Sequence, residues 1–225
     1  VVLEQHRITD RRRINRNVAD NPICPLDPLV IQFEPPVRPT FGPQGVFLIF
    51  RQSQSRAVIN SINSAKTIGA EVEYVSADVT DSKRVAAAVK PIAAKFGAVT
   101  GIIHGAGVLA DKVIEQKTLD DFNAVYRTKM DGLVSMLACV DEQKLQHLVM
   151  FSSAAGFYGN PGQSDYSIAN DILNKTAYRF KALHPQAQVL SFNWGPWDGG
   201  MVTPELKRMF AERGVYIIPL DAGAE

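Results

Sequence analysis

Leu148-Val149-Met150-Phe151-Ser152-Ser153, followed after a glycine-containing stretch by Ser164-Asp165-Tyr166-Ser167-Ile168-Ala169-Asn170, carries the alternation on which the fold rests. A short apolar run is the signature of a buried strand, and a longer periodic segment that of a helix. The sequence predicts a strand at 148–151 and a helix at 164–183. The same alternation extends in both directions. Upstream, strands are expected at 46–49, 72–79 and 101–104, separated by helices at 56–68, 82–96 and 119–140. Within 82–96, Val85, Ala88, Val89, Ile92 and Ala93 recur at helical spacing. Downstream, a strand is expected at 189–194. Strands and helices alternating at these lengths predict an α/β domain, a Rossmann-like doubly wound parallel sheet with helices on both faces.

The first 44 residues differ in kind. Arg7, Arg11, Arg12, Arg13 and Arg16 precede a run rich in proline (Pro22, Pro25, Pro28, Pro35, Pro36, Pro39, Pro43). Proline removes backbone donors and shortens regular elements. Residues 1–44 are therefore expected to form an irregular Pro/Arg-rich N-terminal arm, or the remnant of a structural subdomain, ahead of a catalytic domain at 45–225.

Composition narrows the function classes. The 225 residues are 46% hydrophobic and 21% charged, with a formal net charge of +1. That balance supplies a core and no global field to draw in nucleic acid or an anionic membrane. The arginines of the arm have no aromatic residues between them, so a nucleic-acid platform is not expected. No apolar run reaches membrane-spanning length, and Val1–Asp20 lacks the apolar segment of a secretory leader. Cys24 and Cys139, the two cysteines, suit reduced thiols in the cytoplasm. The chain opens on Val1 and is expected to lie within a larger polypeptide.

Ligands of open parallel sheets bind beyond the carboxyl ends of the strands. The residues following the expected strands are Asp78-Val79, Gly105-Ala106-Gly107, Ser152-Ser153 and Gly195-Pro196-Trp197. Tyr166 and Asn170 are four apart on one helical face, and Lys129 lies on the preceding long helix. Such a set can reduce a carbonyl. An ammonium favours the phenolate of a neighbouring tyrosine, the tyrosine can protonate a developing alkoxide, and a serine hydroxyl can hold the same oxygen.

The stretch Phe151-Ser152-Ser153-Ala154-Ala155-Gly156 with Pro161-Gly162-Gln163-Ser164-Asp165-Tyr166-Ser167-Ile168-Ala169-Asn170 resembles the active-site segment of ketoreductase domains in type I polyketide synthases and polyunsaturated fatty acid synthases, which belong to the short-chain dehydrogenase/reductase superfamily. Ser153 stands thirteen residues before Tyr166, and Lys129 stands 24 before Ser153, as in that family. Asn170 occupies the place where free-standing members of the superfamily carry lysine; in the synthase-embedded ketoreductases the lysine and asparagine are exchanged. Lys175, on the same helix, is expected to be a surface residue. The resemblance implies Ser153, Tyr166, Lys129 and Asn170 as catalytic residues. It also implies cofactor contacts at Asp78, Val79, Gly105, Ala106, Gly107 and Pro196, with NADPH as cofactor and no metal. His104 is expected to pack beside the cofactor, and Trp194 and Trp197 to form core or cofactor wall. Gly199-Gly200-Met201 and the helix after it resemble the family's substrate lid. That lid and Pro219-Leu220 look closest to the polyunsaturated fatty acid synthases.

The implied reaction is reduction of a β-ketoacyl chain borne by the phosphopantetheine arm of an acyl carrier protein, with neighbouring synthase domains as partners and neither nucleic acid nor membrane involved. Leu109-Ala110-Asp111 departs at its middle residue from the Leu-Asp-Asp motif of B-type members. Tyr158 stands where A-type members carry tryptophan, and Pro161 matches the B-type pattern. A B-type, D-configured (3R) alcohol is expected. One departure is larger: no glycine occurs between Gly45 and Gly69, so the Gly-rich phosphate loop that should follow the first strand is missing near residue 50. Either Val46–Ile49 is the first strand with that loop lost after it, the reading preferred here, or Val46–Arg51 is the second strand and Arg51 faces the 2′-phosphate of NADPH. The missing loop also admits a redox-inactive structural module of a synthase, although such a module has no use for the four catalytic positions together.

Overall fold

The computed structural model describes residues 29–33, 46–51, 71–199, 202–220 and 222. Six strands form one sheet: β1 (Leu29–Phe33), β2 (Val46–Arg51), β3 (Glu71–Ser76), β4 (Val99–His104), β5 (His147–Ser153) and β6 (Gln188–Trp194). Their order is β3-β2-β1-β4-β5-β6, the order of a dinucleotide-binding sheet. β2 and β3 pair in parallel, as do β4, β5 and β6. The architecture is α/β and Rossmann-like.

β1 departs from the pattern. It pairs antiparallel with both β2 and β4, between the two parallel blocks. Its sequence, Leu-Val-Ile-Gln-Phe, is a short β-prone run inside the arm read as irregular, bounded by Pro28 and by Pro35-Pro36. The segment between β1 and β2 carries Pro35, Pro36, Pro39 and Pro43. Such a sequence disfavours the crossover helix that a parallel pairing requires. Val46–Arg51 accordingly lies second from the sheet edge, between β1 and β3, and not beside β4 as a first strand would. This corrects the preferred reading of that strand and agrees with the alternative only in its place in the sheet. The helix expected at 56–68 lies outside the described residues.

Three long helices connect the later strands: α1 (Ser82–Phe96), α2 (Leu119–Leu137) and α4 (Ser164–Leu183). A short α3 (Ala155–Tyr158) precedes α4, and α5 (Pro204–Glu212) follows β6. Asp81 caps α1 by accepting from the backbone N–H groups of Lys83 and Arg84. Thr118 and Asp121 cap α2 reciprocally, each side chain accepting the other's backbone N–H. α2 ends at Leu137, three residues before its expected end, in a turn where Cys139 N–H bonds the Met136 carbonyl.

One core joins these elements. Val85 and Val89 of α1, Leu133 and Met136 of α2, and Leu173 and Phe180 of α4 pack on Ile102, Leu148 and Met150. Alternation along β4 and β5 decides which side chains take part: Ile102, Leu148 and Met150 are buried, whereas Ile103 is exposed. The three helices thus share one face of the sheet. Close approach is built into α2 at Gly132, where a Cβ would lie 2.9 Å from Val79 Cγ2 and 3.3 Å from His104 Cε1. None of the described helices is long and apolar enough to cross a membrane.

Candidate active site

Because β3 to β6 run parallel, their carboxyl ends gather at one edge. Asp78-Val79 follow β3, Gly105-Ala106-Gly107 follow β4, Ser153 ends β5, and Pro196 follows β6. Asp78 turns the chain there, its Oδ1 accepting from both the N–H and the hydroxyl of Thr80 at 2.8 Å. Asp78 and Pro196 stand on the two flanks of this edge, with the remaining predicted residues between them.

Lys129 lies in the buried stripe of α2 with Val125, Leu133 and Met136, and its side chain is 1% exposed. Its ammonium donates to the Phe151 carbonyl of β5 at 3.0 Å and lies 5.6 Å from the centre of the Tyr166 ring. Removal from water lowers its pKa to about 8. Tyr166 and Asn170 project from the buried face of α4. Asn170 Nδ2 donates to the Tyr166 carbonyl at 2.8 Å, and Ser152 Oγ donates to the Asn170 carbonyl at 3.0 Å. Gly156 lets α3 and α4 touch here, since a Cβ at this position would lie 2.8 Å from Asn170 Cβ and 2.9 Å from the backbone.

Burial raises the Tyr166 phenol above its ordinary pKa; hydrogen bonds with the side chains of Ser153 and Asn170 pull it down, and the charge of Asp111 pushes it up. The expected lowering by Lys129 is therefore not met in this arrangement: desolvation of the phenol outweighs the favourable contacts. Ser153, at the strand end, also accepts from the Ala155 N–H through Oγ. Lys129, Tyr166, Asn170 and Ser153 thus lie in one cluster.

His104 lies inside the domain, against α2. It is fully buried, with Nε2 2.8 Å from the Lys129 carbonyl. A carbonyl only accepts, so Nε2 carries the proton. Burial first, and the Lys129 charge second, lower its pKa to about 3. It braces α2 through that bond. Trp197 is buried and meets Trp194 edge-on at 4.9 Å, as core aromatics do. Lys175 is exposed and pairs with Asp171.

Residues that the sequence reading missed join the tyrosine to the loop after β4. Lys117 donates to the Ala110 carbonyl and to Asp165 Oδ2, both at 2.8 Å. Gln163 donates to Asp111 at 2.8 Å, and Lys112 N–H to the Gly162 carbonyl at 2.9 Å. Gly162 sits at φ 82°, a conformation open chiefly to glycine. A carboxylate directly before Tyr166 was legible; its lysine, 48 residues upstream, was not.

The family model for the KR domain matches residues 42–199. The chain belongs to the KR domain family. It is 47% identical over 172 residues to a polyunsaturated fatty acid synthase polypeptide from Thraustochytrium sp. (strain ATCC 26185 / S-3), covering 76% of the chain and 6% of that protein. It is 32% identical over 145 residues to the polyketide synthase PksN of Bacillus subtilis (strain 168), covering 62% of the chain and 3% of that protein. Among solved structures, a ketoreductase domain from the bacillaene assembly line aligns with TM-score 0.70 and 33% identity, over 80% of this chain and 45% of that one. The KR domain therefore spans a small part of the synthases it resembles. Family membership makes it an oxidoreductase domain of a kind that uses a nicotinamide cofactor.

The residues present fit the ribose and nicotinamide end of such a cofactor. Lys129 has three N–H donors, and the Phe151 carbonyl is its one acceptor among the described residues. Asn170 Oδ1 is buried without a partner among them. A buried ammonium and a buried amide oxygen with unused capacity are what sugar hydroxyls would satisfy.

Proposed function

We propose that this domain reduces a β-ketoacyl group, carried on the phosphopantetheine arm of an acyl carrier protein in a cytoplasmic synthase, to the D-configured (3R) β-hydroxyacyl group at the expense of NADPH. The observation that carries this reading is the cluster of Lys129, Tyr166, Asn170 and Ser153 at the carboxyl edge of the sheet. When bound, the reduced nicotinamide supplies a hydride to the β-carbon. Ser153 donates a hydrogen bond to the carbonyl oxygen, and Tyr166 transfers its phenolic proton to the alkoxide that develops there. The Lys129 ammonium, 5.6 Å from the centre of the Tyr166 ring, holds the cofactor ribose. Asn170 supports Tyr166 from one helical turn away and lends its free Oδ1 to the Lys129 side of the site. Gly105-Ala106-Gly107 and Pro196 leave a close approach for the dinucleotide, and Asp78-Val79 receive its adenine end.

Asp111, Tyr158 and Pro161 support the D product. Chiral chromatography of the alcohol formed from an acetoacetyl thioester and NADPH should give mainly the D enantiomer; a predominance of L would overturn the B-type assignment. The redox-inactive module is the competing reading, favoured by Pro35, Pro36, Pro39 and Pro43 in the segment between β1 and β2, where a phosphate loop would follow the first strand. Calorimetric titration with NADPH separates the two, because the module has no reason to bind it.

A further inference from the structure

Among the described ion pairs, Lys117–Asp165 is the one with both partners out of water: its side chains are 5% and 0% exposed, and the N–O distance is 2.8 Å. All of its polar reach goes to the active site. Asp165 Oδ2 takes the Lys117 ammonium, and its Oδ1 accepts the backbone N–H of Tyr166 at 2.8 Å. The same ammonium holds the carbonyl of Ala110, in the loop after β4. Lys117 itself sits between the 3₁₀ turn Ile114–Gln116 and Thr118, the N-cap of α2. One side chain therefore ties together the start of the lysine helix, the start of the tyrosine helix and the loop that faces the tyrosine.

Stability alone does not account for this pair. Apolar residues of matching volume are commonly as stable as a buried ion pair, or more so. An ammonium shared between a carboxylate and a carbonyl supplies direction, which packing does less well. The loop is fixed at its other end too, where Lys112 bonds Asp121 at 2.7 Å and Gln163 bonds Asp111. These bonds tie the loop to the starts of both α2 and α4.

We infer that the buried Lys117–Asp165 pair is a positioning unit of the active site, setting the placement of Tyr166 and the stance of the loop Leu109–Lys112, and through them the rate and the facial selectivity of reduction. The inference rests on the ketoreductase reading above. Neither residue is placed on the cofactor or the reacting atoms.

The test uses the full-length protein with NADPH and an acetoacetyl thioester. It compares wild type, Lys117→Arg and the double variant Lys117→Met/Asp165→Asn. The single change Asp165→Asn would leave an unpaired buried ammonium and risk the fold. The double variant leaves no buried charge, and its amide oxygen still accepts the Tyr166 N–H. It should melt near the wild-type temperature and keep the KM for NADPH. Its kcat should fall about 10- to 100-fold, the scale on which small misplacements of reacting groups are felt, and its D:L product ratio should erode. Lys117→Arg should keep both rate and ratio. A folded double variant with wild-type kcat and D:L ratio overturns the inference, as does a rate loss that only tracks melting temperature while the ratio stays intact. Absence of turnover in the wild type would instead remove the ketoreductase reading, and this inference with it.

Discussion

Lys129 occupies a helical position whose neighbours on the same stripe are Val125, Leu133 and Met136. Burying an ammonium there weakens the fold, and the pKa of about 8 against an ordinary 10.5 measures the penalty. The native state binds the proton less readily than the unfolded chain, so the penalty is present below pH 8 and is relieved as pH rises from 8 to 10.5. Activity has the opposite need, since the ammonium is the useful form. We predict an alkaline limb in kcat/KM of the free enzyme with an apparent pKa near 8; a flat profile from pH 7 to about 10 would contradict it. His104 bears on acid stability. Its pKa of about 3 lies below the ordinary 6.5, so stability fully present above pH 6.5 is lost as pH falls toward 3. The shift corresponds to roughly 5 kcal/mol at most. His104→Gln, which keeps a donor for the Lys129 carbonyl, should flatten the melting temperature against pH across that window. The candidate set of Lys129, Ser153, Tyr166 and Asn170 was legible through the family resemblance of the motifs around it. The pKa directions were not, because they depend on what buries each group.

At the scale of elements, the site is the meeting of α2, α4 and the end of β5, and Gly156 sets how closely α3 packs on α4 beside it. Gly156→Ala would drive a methyl group to within 2.9 Å of the Asn170 backbone, which cannot move aside as a flexible side chain could. Melting should report a loss of about 1–3 kcal/mol, and turnover should fall with it because Asn170 is displaced; a variant with wild-type melting and rate would show the contact to be slack. The boundaries of α1 and α4 agree with those expected from periodicity, and α2 ends three residues early. β1 was the element that composition concealed. Five β-prone residues flanked by prolines read as part of an arm, and only their pairing with β2 and β4 reveals a strand. Pairing partners far apart in sequence leave little local trace, and the link between Lys117 and Asp165 was hidden for the same reason.

Across the whole molecule, the strand order and the family agree on a dinucleotide-binding oxidoreductase domain. The sheet was legible from the alternation of apolar runs and periodic segments, and the family from the motifs that resemble it. The place of Val46–Arg51 was not, because two neighbouring strands of one sheet have the same composition and differ only in what lies beside them. The central claim is that Tyr166 delivers the proton in an NADPH-dependent ketone reduction. Absorbance of NADPH, followed with an acetoacetyl thioester for the wild type and Tyr166→Phe in parallel, tests it directly. The account predicts steady oxidation by the wild type and a loss of at least about 100-fold in the phenylalanine variant, the usual contribution of a positioned acid, with an unchanged melting curve. Equal rates in the two proteins, or no oxidation by a folded wild type that also fails to bind NADPH, would contradict it.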